Sequence, residues 1–105
     1  MASIIKGTTP TMRFTFRDVD PTRIVTTALT IKQNKELVIE RDLTTATVSE
    51  SDSSISYKLS QEETLSFSVG KVAVMHNWVL DDGTRGASKE AVITIEDNHK
   101  DEVMM

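Results

Sequence analysis

SQEETLSFSVGKVAVMHNWVLDDGTRGASKEAVITI, residues 60–95, carries the architecture of this chain. Val72, Val74, His76, Trp78 and Leu80 occupy every second position of one long run. That two-residue period belongs to a strand with one buried face. Asp81, Asp82 and Gly83 follow it with turn chemistry. Aspartate side chains bond nearby backbone N–H groups and glycine tolerates positive φ, so the chain is expected to reverse here. Arg85 to Ile95 then returns antiparallel, with Ala91, Ile93 and Ile95 expected inward. Ahead of the hairpin, Ser60 and Glu63 have the spacing of a capping box, which predicts one helical turn over Gln61 to Leu65. Leu65 and Phe67 are expected to plug the end of the core below that turn, and Gly70 restarts the extended chain.

The same period runs through the rest of the sequence. Met12, Phe14 and Phe16 alternate with Arg13 and Thr15, which predicts a strand over Thr11 to Arg17, opened by Pro10. Asp18, Val19, Asp20 and Pro21 break the pattern. It resumes over Ala28 to Gln33, with Leu29 and Ile31 on one side. Asn34 and Lys35 read as a tight turn. Glu36 to Arg41 is the next strand, with Leu37 and Ile39 on one face and Val38 on the other. Thr44 to Ser54 is polar and reads either as a weak edge strand or as a loop. Ile55, Tyr57 and Leu59 mark a further strand. About seven short strands and one helical turn before the penultimate strand predict an all-β, immunoglobulin-like antiparallel β-sandwich, with a small open barrel as the alternative. The immunoglobulin cysteine pair is absent, and Tyr57 lies a strand too early for a tyrosine corner.

Composition bounds the function. A chain of 105 residues and 11.7 kDa is expected to form one domain over 1–105, with a core from about 4 to 95 and a charged tail over 96–105 that frays or docks on a neighbour. Sixteen acidic and 12 basic residues give a net charge of -4. Without a basic stripe to neutralise phosphates, neither nucleic acid nor an anionic membrane is an expected partner. The absence of cysteine removes disulfides, thiolate metal sites and thiol nucleophiles, and favours folding in a reducing cytoplasm. The N-terminus shows no signal-peptide core, and no run approaches the roughly 20 apolar residues of a membrane-spanning helix.

No catalytic, cofactor-binding or metal constellation can be read from these residues. His76 falls in phase with inward positions near Trp78, with no nucleophile or orienting carboxylate in recognisable spacing, and reads as a partly buried structural histidine. His99 with Asp97, Asp101 and Glu102 reads as a solvated terminus. Asp18, Asp20, Asp81 and Asp82 read as turn formers, because no calcium loop surrounds them. Gly83 and Gly86 read as turn glycines, with no phosphate-cradling context. Glu62 and Glu63 serve the N-terminal dipole of the helical turn. Phe14, Phe16, Tyr57 and Trp78 all take inward positions, which counts against a sugar-binding platform. A carbohydrate-binding or adhesion module is nevertheless the alternative function that the sandwich suggests.

The runs LSQEETLSFSVGKVAV at 59–74, DDGTRGAS at 81–88 and IIKGTTPTMRFTF at 4–16 resemble the amino-terminal immunoglobulin-like domain of phage baseplate upper proteins and related small phage and prophage structural proteins. The resemblance spans about Ile4 to Ile95. It implies a non-enzymatic virion component, a tail- or baseplate-associated interaction module whose partners are other phage structural proteins and which could form a homo-oligomer. It implies no cofactor and no active-site residues. Such a component is assembled in the bacterial host cytoplasm and resides in the virion.

Overall fold

The computed structural model describes residues 3–99 and 104. Two sheets face one another as an all-β, immunoglobulin-like sandwich. The strands are β1 (Ser3–Ile5), β2 (Thr11–Thr15), β3 (Ile24–Gln33), β4 (Glu36–Asp42), β5 (Thr47–Ser49), β6 (Ser54–Lys58), β7 (Gly70–Leu80), β8 (Arg85–Ala87) and β9 (Ala91–Glu96), with α1 (Gln61–Leu65) between β6 and β7. The larger sheet runs β1-β9-β7-β3-β4, with β8 also paired to β7, and the smaller runs β2-β6-β5. All pairs are antiparallel except β1 with β9.

Alternation puts the core where the sequence expects it. Leu29 and Ile31 of β3, Ile55 and Tyr57 of β6, Val72, Val74 and His76 of β7, and Ile93 and Ile95 of β9 are all buried. The capping box is complete, with the Glu63 amide donating to Ser60 Oγ at 3.1 Å and the Ser60 amide donating to Glu63 Oε1 at 2.8 Å. Phe67 plugs the core as expected, whereas Leu65 is only half-buried. Asn34 and Lys35 both take positive φ, 54° and 68°, the geometry of a two-residue hairpin whose twist matches its strands.

Nine strands among the described residues exceed the expected seven, for local reasons. Ser3–Ile5 pairs parallel to β9 although three residues are too few to display a period. β3 starts at Ile24, four residues before the alternation becomes clear. The Thr44 to Ser54 stretch contains a short 3-10 turn and the edge strand β5. The return strand of the long hairpin is divided, because the ladder breaks beside His76. There Ser88 takes over, its amide donating to the His76 carbonyl at 2.8 Å and its Oγ accepting the His76 amide at 2.9 Å.

Three residues depart from their expected places. A bulge between Ile31 and Lys32 on the β3–β4 ladder pairs Ile31 with Ile39 but Lys32 with Leu37, so Ile39 is buried and Leu37 turns outward. Ala91 is exposed because nothing in the smaller sheet covers its end of β9. Gly86 sits in β8, directly opposite Trp78, and not in a turn. A Cβ at Gly86 would lie 2.4 Å from the indole ring, so glycine is required there for close approach; Gly83, with φ 88°, is the turn glycine.

Candidate functional site

The polar centre of the sandwich is built from three strands. β7 supplies His76, β6 Tyr57 and β3 Thr27, all buried. Tyr57 Oη donates to Thr27 Oγ1 at 2.7 Å and lies 2.7 Å from His76 Nε2. Since the phenol has one proton and gives it to Thr27, Nε2 carries the imidazole proton and Nδ1 is a bare acceptor. Nδ1 is buried and has no hydrogen-bond partner among the described residues. Aromatic rings surround the imidazole: Phe14 stacks on it at 4.2 Å with 19° between planes, and the rings of Trp78 and Phe16 lie 5.7 and 6.3 Å away. Burial pushes the His76 pKa down to about 4, and burial also raises that of Tyr57.

This arrangement locks the two sheets together. No carboxylate bonds the imidazole among the described residues, and His76, Tyr57 and Thr27 have 0, 0 and 3% exposure. The centre therefore has neither a charge relay nor an opening for a substrate. Sequence reasoning placed His76 near Trp78 but missed its partners. The signal was present in phase alone: Thr27 shares parity with Leu29 and Ile31, and Tyr57 with Ile55, so all three polar groups point into one layer.

The remaining flagged residues do not converge. Asp20 caps the 3-10 turn at Pro21–Arg23 by accepting from Thr22, and bonds from the Thr22 side chain and backbone hold its carboxyl below the usual range. Asp81 and Asp82 pair with Arg23, fastening the hairpin turn to the start of β3. Glu63, besides capping α1, pairs with Arg41 at 2.8 Å, and Arg41 also donates to the Lys58 carbonyl. His99 is exposed, while Asp101 and Glu102 lie outside the described residues. Of the tail, the Met104 backbone is held by the Gln61 side chain. Among the described residues no group of three or more His, Asp or Glu side chains could hold a metal ion, and no helix is long and apolar enough to cross a membrane.

Surface features with docking chemistry lie at the sheet margins. The larger sheet is five strands across and the smaller three, so at about 4.8 Å per strand the smaller sheet is narrower by roughly 10 Å. Phe14 and Phe16 stand over His76 and Trp78, which places β2 above β7 and leaves β9 beyond its edge. A groove of about 300 Å³ results, lined by Ile4, Met12, Phe14, Val74, Ala91 and Ile93. The Phe16 amide donates to the Ser53 carbonyl, and Pro10 accepts from the Leu59 amide. Even-numbered residues of β2 thus face β6, and alternation turns the N–H and C=O groups of Thr11, Arg13 and Thr15 outward, where β2 has no strand neighbour among the described residues.

No protein-family model matches the chain, and neither does the sequence of any curated protein. Among solved structures, the crystal structure of CopC from Methylosinus trichosporium OB3b is similar, with a TM-score of 0.59 and 15% sequence identity over 95% of this chain and 89% of that one. At that identity the likeness is one of fold.

Proposed function

We propose that this protein is a non-enzymatic virion component of a phage or prophage, a tail- or baseplate-associated module that works by docking to other structural proteins. The observation that carries the reading is the resemblance of residues 4–16, 59–74 and 81–88 to the amino-terminal domain of phage baseplate upper proteins. The geometry is compatible with such a role: its buried polar groups tie the sheets together, and its unpaired backbone groups stand at an edge where a neighbour can add. The aromatic rings that a sugar-binding surface would present to water instead pack around His76. The test is mass spectrometry of density-banded phage particles from the producing strain, with immunogold labelling against this chain. A fixed stoichiometry per particle and labelling at one end of the tail are expected. Recovery only in the unassembled protein fraction would contradict the reading.

A further inference from the structure

We propose that the groove between β2 and β9 receives one extended strand of a partner protein, added to the free edge of β2, in which apolar residues alternate with acidic ones. The inference rests on the docking role proposed above and names the chemistry of the partner. Three independent features define the occupant.

The first is backbone. Thr11, Arg13 and Thr15 turn their N–H and C=O groups away from β6, so an incoming strand finds a ready ladder. The second is the inner face. A strand laid there would stand over the exposed Ala91 end of β9, and every second side chain would meet Ala91 and the half-buried Met12 and Phe14, above the largely buried Ile4 and Ile93. Those positions call for apolar side chains.

The third is charge on the outer face. Thr11, Arg13 and Thr15 are exposed, and their face of the ladder carries the exposed Lys58 and the half-buried Ser56 of β6. Arg13 and Lys58 lie diagonally across the ladder, and neither forms an ion pair among the described residues. The outward side chains of an added strand would stand beside Arg13, where a carboxylate is favourable and a cation is not. A second copy pairing β2 to β2 about Arg13 would set two guanidinium groups against one another, which disfavours self-association through this edge.

The probe is a capped seven-residue peptide alternating valine and glutamate, titrated at pH 7 into the full chain labelled with ¹⁵N, beside a peptide alternating valine and lysine. The glutamate peptide is expected to shift the amides of Thr11, Arg13, Thr15, Ala91 and Ile93, and the lysine peptide to bind at least tenfold more weakly. Arg13→Glu should reverse that preference. Arg13→Pro removes the central outward N–H without touching the bonds to β6, and should abolish binding while the Trp78 fluorescence of the folded protein persists. Equal binding of both peptides, an unchanged preference in Arg13→Glu, or shifts confined to another face would overturn the inference. The docking role has a separate readout: wild-type protein missing from virions defeats that role, whereas equal incorporation of wild type and Arg13→Pro defeats only the groove.

Discussion

The two flanks of this sandwich are covered unequally. Over β7 and β3, the smaller sheet lays Phe14, Phe16 and Tyr57 onto His76 and Trp78, and the interior is closed. At the start of β9, one strand further, the smaller sheet has ended: Ile93 and Ile95 remain buried, but Ala91 is exposed and lines a groove beside an unpaired edge. Alternating apolar residues occur in β2, β7 and β9 alike. The difference comes from strand number, since three strands cannot cover five. Stability should therefore concentrate on the closed flank and binding capacity on the open one.

The largest effect should come from emptying the closed flank. Tyr57→Ala removes a fully buried ring and strips His76 Nε2 of its acceptor, so a loss of about 3–5 kcal/mol is expected in urea denaturation followed by Trp78 fluorescence. A loss below about 1 kcal/mol would mean that this flank is not the closed one.

Acid should act on the same flank. The folded-state pKa of His76 is about 4, below its ordinary value of 6.5, so the unfolded chain binds more protons between those values. The stability is fully present above pH 6.5 and is lost as pH falls toward 4, on the order of 3 kcal/mol at about 1.4 kcal/mol per pH unit. The lowered carboxyls of Asp20, Asp42 and Asp82 have ordinary values of 3.8, so their losses begin lower and leave the His76 window distinct. Comparing urea midpoints at pH 7 and pH 4.5 for wild type and His76→Phe separates the two: the variant should be nearly flat across that interval.

A smaller effect is expected where the closed flank meets β8. Gly86→Ala drives a methyl group into the Trp78 indole and should cost about 1–3 kcal/mol, visible as a shift of the Trp78 emission.

Legibility followed the same division. The long hairpin, the Ser60–Glu63 capping box and the inward rows of β2, β6 and β7 were readable because period, cap and turn residues are local signals. The bond from Tyr57 to Thr27 joins residues 30 apart in the chain, and that from Tyr57 to His76 residues 19 apart. Phase says that each points inward, but not that they meet. The bulge that turns Leu37 outward depends on the partner strand, and so does the need for glycine at 86. The open groove was the least legible feature, because an excess of strands in one sheet over the other is a property of topology and no residue encodes it alone.

Amide hydrogen exchange along β2 tests the open edge most directly. Met12, Phe14 and Phe16 donate toward β6 and its flanking turn and should be protected, while Thr11, Arg13 and Thr15 should exchange close to unprotected rates. Uniform protection along Thr11–Thr15 would show that a strand already covers this edge, and would contradict the unequal coverage on which the account rests.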